Sequence, residues 1–190
     1  ENIDRAIKRG TGDDKDAAIY EEITYEGYGP HGVAFMVDCV TDNRNRAVAE
    51  IRHLLSRSGG NMAEAGAVGW QFSRKAYFSF PSSMLSYDES FELALDAGAE
   101  DVLQDGDNIE IISPVDAFKK ISDALKKAGV SPDDAELRLI AKQDLELPVD
   151  QTLSALRAIE SLEELDDVQN VFHNLKISDE AWAALEANET

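Results

Sequence analysis

Apolar and polar positions alternate from Tyr20 to Glu26, which places Ile23 and Tyr25 on one face of a strand. Val33 to Val40 is almost continuously apolar, the pattern of a strand covered on both faces. The Gly-Tyr-Gly-Pro-His-Gly between them reads as a hairpin turn. Over 44–58 the period changes to that of a helix, with Val48, Ile51 and Leu55 on one stripe and Gly59-Gly60-Asn61 as its stop. A strand around Trp70 and Phe72 is predicted over 68–73. This ββαβ run lacks one helix and one strand for a four-stranded sheet under two helices.

From Ala76 onward the pattern predicts a strand (77–80), a helix (87–97), a strand (100–104), an Asp-Gly-Asp-Asn turn and a strand (109–112). A helix over 115–128 follows, with Val115, Phe118, Ile121 and Leu125 on its stripe, and then a strand near Ala135. That order is βαββαβ, the split-βαβ or ferredoxin-like plan. Beyond Pro148, a helix over 150–165 carries Leu153, Leu156, Ile159 and Leu162 in register, and 168–173 is a strand. These two elements would complete the first sheet. The expected fold is therefore α+β, with two ferredoxin-like α/β-sandwich domains, a discontinuous one over 17–76 plus 149–190 and one inserted over 77–148. The helix near 180–187 is expected to be peripheral. Ile3 and Ile7 lie one helical turn apart before Gly10, and 11–16 is a polar linker. Two turns cannot bury a stripe alone, so 1–16 is expected to be the end of a preceding helical domain.

With 190 residues, 43% of them hydrophobic and 7% aromatic, the chain has the composition of a globular protein and not of an acidic disordered tail. The formal charge of −20 opposes contact with phosphate backbones over most of the surface, so a nucleic-acid site needs a local exception. The single cysteine, Cys39, excludes an intrachain disulfide framework, and the 33–40 run is too short to span a bilayer. Gly27 to Gly32 matches G-x-G-x-x-G, but a dinucleotide site needs a helix to start at the third glycine, and β-patterned residues follow instead. His31, His53 and His173 show no metal-ligand spacing. Nine acids and no Lys or Arg fall in 86–110, alternating with apolar residues as solvated faces do. No nucleophile or phosphate-loop motif is present. No catalytic residue, metal or cofactor is expected.

Charge segregation changes this picture. Between Asn43 and Lys75 the charged residues are Arg44, Arg46, Arg52, Arg57, Arg74 and Lys75 against Glu50 and Glu64, a net +4. Arg46, Glu50, His53 and Arg57 recur on the side of the 44–58 helix opposite its apolar stripe. Arginine suits bidentate phosphate contact, and Asn43 and Asn45 at the helix entry add hydrogen-bonding capacity. The competing reading is an ordinary Arg46–Glu50 pair on a solvated face.

Tyr-Glu-Gly-Tyr-Gly-Pro-His-Gly-Val (25–33), Thr-Asp-Asn-Arg-Asn-Arg (41–46), Glu-Ile-Arg-His (50–53), Gly-Gly-Asn (59–61), Gly-Trp-Gln-Phe (69–72) and Asp-Asp-Val-Gln-Asn-Val-Phe-His-Asn (166–174) closely resemble the YebC/PmpR family. That family of transcriptional regulatory proteins includes the mitochondrial translational activator of cytochrome c oxidase. The resemblance spans essentially the whole chain. It implies a basic helical N-terminal domain followed by two α+β domains, one inserted in the other, with residues 1–12 as the end of the first. It implies no catalytic residues.

The resemblance implies either promoter-DNA binding with control of transcription, or action on translation through ribosomal RNA and the ribosome. The candidate contacts are Asn43, Arg44, Asn45, Arg46, Arg52 and His53 from the motif positions, with Arg57 from the stripe and Arg5, Lys8 and Arg9 from the N-terminal remnant. The hairpin residues Tyr25, Gly27, Tyr28 and Gly29 are their neighbours. A Gly-Pro-Gly-Gly turn is common in the family where this chain has Gly29-Pro30-His31-Gly32. No helix-turn-helix or zinc-finger pattern supplies an element for base reading, whereas shape and phosphate recognition needs only the cationic face. The expectation is a cytoplasmic, monomeric, non-enzymatic regulator of gene expression, with an acidic protein-interaction module as the rival.

Overall fold

A computed structural model describes residues 19–188, apart from the side chains of Glu186 and Asn188. In chain order the elements are β1 (Glu21–Tyr28), β2 (Ala34–Thr41), α1 (Arg44–Arg57), β3 (Asn61–Met62), β4 (Phe72–Pro81), α2 (Tyr87–Ala97), β5 (Asp101–Asp105), β6 (Asn108–Ser113), α3 (Phe118–Lys127), β7 (Asp134–Ala141), β8 (Leu145–Glu146), α4 (Val149–Glu163), β9 (Val168–His173), β10 (Leu175–Lys176) and α5 (Asp179–Asn188). They form an α+β protein with two compact units. Among the described residues, one is built from those up to Gln71 and from Gln143 onward, the other from Phe72–Lys142. The helix and linker predicted before Ala17 lie outside the described residues.

In the first unit the strands run in the order β3-β1-β2-β9, all antiparallel. The almost unbroken apolar run of β2 has a direct cause. Phe35, Val37 and Cys39 face a core shared with Ile51 and Leu55 of α1 and Ala155, Ile159 and Leu162 of α4. Ala34 and Met36, pointing the other way, are buried as well. Burying each large apolar side chain contributes about 1.5–3 kcal/mol relative to exposure. A short parallel pair, β8 with β10, joins the chain near Leu145 to the residues after β9.

Helix α1 buries Ala47, Ile51 and Leu55, so the small Ala47 takes the place on the buried face that the periodicity gave to Val48. Its C-terminus closes as a Schellman motif, in which the Gly60 amide donates to the Leu55 carbonyl (2.8 Å) and the Gly59 amide to that of Ser56 (3.4 Å). Gly59 sits at φ +86 with open space around it, whereas a Cβ on Gly60 would lie 2.2 Å from the Tyr28 carbonyl oxygen.

The predicted strand over 68–73 does not form. Residues 63–68 are loop, Gly69–Gln71 is a single 3-10 turn, and β4 begins only at Phe72, in the other unit's sheet. The edge strand of the first sheet is instead the two-residue β3. The alternation around Trp70 misled because its side chain is 68% exposed and its indole Nε1 donates to the Ala67 carbonyl (3.0 Å) in a local turn.

The second unit has strand order β5-β6-β4-β7, the antiparallel sheet of a βαββαβ chain. Phe78, Phe80, Ile109 and Ile111 meet Ala94, Ala97, Ile121 and Leu125 in its core. Ser86 and Glu89 form a capping box on α2, and Gly98 ends that helix at φ +95. The helix predicted from Val115 starts at Phe118, because Pro114 leads into a 3-10 turn over Val115–Ala117 that leaves Val115 exposed. Phe118 still reaches the core, its ring 4.9 Å from that of Phe78.

The Gly59-Gly60 pair separates two costs in urea denaturation. Gly60→Ala forces backbone apart and should lower stability by about 2 kcal/mol. Gly59→Ala meets only the left-handed backbone penalty and should cost about 1 kcal/mol.

Candidate nucleic-acid interface

Helix α1 starts where it does because Asn43 caps it, its Oδ1 accepting from the Arg46 amide at 3.1 Å. The Asn43 amide donates in turn to Thr41 Oγ1 (2.9 Å), and that hydroxyl donates to Asp167 Oδ2 (3.0 Å). Arg46 completes the cluster. Its Nε lies 3.2 Å from Asp167 Oδ2, and one terminal nitrogen lies 2.8 and 2.9 Å from the two Asp167 oxygens and 3.0 Å from Asp42. Asp167 is only 6% exposed. Hydrogen bonds to Asp167, with Asp42 beside it, push the Arg46 guanidinium further up from its already high value. The i,i+4 pair to Glu50 is not what Arg46 makes; its charge is spent holding the start of α1 to the turn before β9.

Arg44 pairs with Glu21 at 3.2 Å across a half-exposed surface, a contact of small energy. Its carbonyl lies 3.4 Å from the Tyr25 hydroxyl, whose pKa is raised first by burial. Asn45, Arg52, His53 and Arg57 are exposed along the helix. The structure adds a partner that the 44–58 window could not contain. His53 and Arg57 line a groove of about 790 Å³ with Arg157 and Ser161 of α4, and Glu50 and Glu164 line it as well. The groove exists because α1 and α4 bury neighbouring faces in the same core. Arg5, Lys8 and Arg9 lie outside the described residues.

The hairpin is a packing device. Gly27 leaves no room for a Cβ between Leu55 and the Asn61 carbonyl, and a Cβ on Gly29 would fall 2.1 Å from the Phe35 ring. The Tyr28 hydroxyl accepts from Gln71 Nε2 at 3.1 Å. Pro30–Gly32 makes one 3-10 turn and β2 follows, so no helix opens at Gly32 for a pyrophosphate. His31 takes φ 59, a left-handed conformation that suits the glycine common there in the family it resembles.

Next to the hairpin, the Glu26 carboxylate accepts from the amides of Gly66 (2.6 Å), Val68 (2.6 Å) and Gly69 (2.8 Å). Burial by itself would raise the Glu26 pKa, but these three donors outweigh it and hold the carboxyl below its ordinary value. This clasp shapes the loop where a strand was predicted. Cys39 is buried, and burial, with Asp167 and Asp38 nearby, pushes its thiol up to about 11, away from nucleophilic use. Among the described residues no group of three His, Cys, Asp or Glu side chains could hold a metal, and no helix is long and apolar enough to cross a membrane.

A family model described as the second and third domain of TACO1/YebC matches residues 20–175. The chain belongs to the TACO1/YebC family. Relatives named as probable transcriptional regulatory proteins include those of Chlorobaculum tepidum and Renibacterium salmoninarum, each 45% identical over 98% of this chain and 74% of its own length. That of Bifidobacterium animalis subsp. lactis is 43% identical over the same shares. The crystal structure of a conserved hypothetical protein from Aquifex aeolicus superposes with a TM-score of 0.83 at 36% identity, covering 94% of this chain and 73% of that one.

In this TACO1/YebC chain, Asp167 and Arg157 escaped sequence reasoning because each lies a hundred positions or more from the helix it serves. The only local sign of Asp167 was the Asp-Asp-Val motif itself. Asp167→Ala should strand Thr41 and Arg46 and lower stability by about 2 kcal/mol in urea unfolding. Glu26 has a folded-state pKa below its unfolded one. Its contribution is therefore present above the unfolded value and disappears as pH falls through the folded one. Glu26→Gln should accordingly lower the urea midpoint at pH 7 and converge on the parent in acid below that folded value.

Proposed function

We propose that this protein is a non-enzymatic regulator of gene expression that binds nucleic acid through the outer face of α1 and the adjoining edge of α4. The observation that carries the reading is the convergence of Arg57, His53 and Arg157 on one groove in a chain of charge −20. Arg52 and Asn45 flank that face, whereas Arg44 is turned to the sheet side, where it pairs with Glu21, and Arg46 and Asn43 position the helix. Transcriptional regulation is the role in the names of its relatives, and DNA-binding control of transcription is the reading adopted for this chain.

One geometric feature favours a second target, structured RNA on or near the ribosome. Helices α1 and α4 share one core. Two packed helices, axes about 8–10 Å apart and each about 10–12 Å across, make a surface broader than the major groove of about 12 Å. A surface of that width meets phosphates and overall shape more readily than base edges.

Titration against duplex DNA and structured RNA over a salt series tests both. Arg57→Glu and Arg157→Glu should each weaken binding and make the slope of log K against log salt shallower by about one for each phosphate no longer neutralised. Unchanged binding in both variants would remove this face from the mechanism. Tighter binding to duplex DNA supports transcriptional control, and tighter binding to RNA supports the second target.

A further inference from the structure

The second unit carries a surface of a different kind. Tyr87, Phe91 and Leu95 recur every fourth residue on α2, so they form one stripe, and they are 37%, 43% and 59% exposed. The rings of Tyr87 and Phe91 lie 6.1 Å apart. This helix packs Ser90, Ala94, Ala97 and the half-buried Leu93 inward and turns Tyr87, Phe91 and Leu95 outward. Asp88, Glu92 and Asp96 follow on the next stripe around the helix. Alongside, β5 is the edge of its sheet, paired among the described residues only with β6; its Val102 carbonyl accepts from the Tyr87 hydroxyl at 3.4 Å and its Val102 amide donates to Asp101 Oδ1 at 2.9 Å, so side chains and not a strand hold this edge. Asp101 and Asp105 stand at its two ends. Of the nine acids over 86–110, only Glu100 has an ion-pair partner among the described residues, Lys75 at 2.5 Å.

An aromatic stripe kept in water beside a strand edge held only by the side chains of Tyr87 and Asp101, which an incoming strand would replace, and a belt of carboxylates without ion-pair partners has one complementary occupant. We infer that α2 and β5 dock a basic, extended segment of a partner protein. Its backbone adds a strand to β5, alternate apolar side chains rest on Tyr87, Phe91 and Leu95, and its Lys and Arg residues face the acids. The same carboxylates repel the β5 edge of a second copy, so a basic strand is favoured there while edge-to-edge self-pairing is suppressed.

The test titrates the full 190-residue chain with a peptide alternating arginine and valine and, separately, with one alternating glutamate and valine. The basic peptide should bind and slow amide exchange across Asp101–Asp105. Phe91→Ser with Leu95→Ser should weaken it about tenfold, and Asp101→Asn with Asp105→Asn several-fold, in variants whose circular dichroism melts match the parent. Equal binding of the acidic peptide, unaltered binding in the Phe91/Leu95 variant, or unprotected β5 amides would each overturn the inference. The peptide assay reads the second unit alone, so its outcome is separate from that of the nucleic-acid titration.

Discussion

One buried carboxylate connects three places that the chain itself keeps far apart. Asp167 takes the Thr41 hydroxyl at the end of β2 and the Arg46 guanidinium in the first turn of α1, and its own carbonyl accepts the Val40 amide at 2.9 Å. Thr41 and Arg46 stand 126 and 121 positions before it. A buried carboxylate without such donors would be costly to desolvate, so the folded arrangement has to bring the whole set together. That requirement sets the register at which the returning β9 joins β2, and it sets the point at which α1 leaves the sheet. The groove between α1 and α4 depends on both.

Charge is patterned within each unit and not between them. In the first unit, cations gather on the solvent side of helices whose inner faces supply the core, so their presentation costs the fold little. In the second, a sheet and two helices enclose a core of phenylalanine, isoleucine and leucine, while the surface of α2 and β5 carries acids and exposed aromatics. Acidic residues outnumber basic ones in both units, so the net charge of −20 describes neither of these two local surfaces. Local fields at a contact surface are set by side chains within about a Debye length of 8–10 Å, and not by the sum over the molecule.

Much of the architecture was legible from the chain. The continuous apolar run of β2 announced a strand covered on both faces, and the βαββαβ order of the second unit was readable because each of its elements declares its own period. Residues 68–73 were not legible, because alternation around Trp70 imitated a strand. There the backbone donors are claimed by Glu26, a side chain some 40 residues earlier, and no local propensity records such a claim. A milder miss falls on α1, where Ala47 and not Val48 lies against the sheet. A short side chain lets the helix approach closely, which a hydrophobicity pattern does not weigh.

The candidate interface divides along the same line. Sequence alone determined that cations cluster over 43–75, that Arg46, His53 and Arg57 share the outer side of α1, and that the glycine-rich turn is a hairpin and not a phosphate loop. These follow from periodicity, which is a property of neighbouring residues. Only the tertiary structure decided that Arg46 is spent on Asp167 while Arg57 gains Arg157 across a groove. Which charges are neutralised and which are presented depends on distances of about 3–4 Å between residues remote in the chain, and those distances exist only once the sheet has closed.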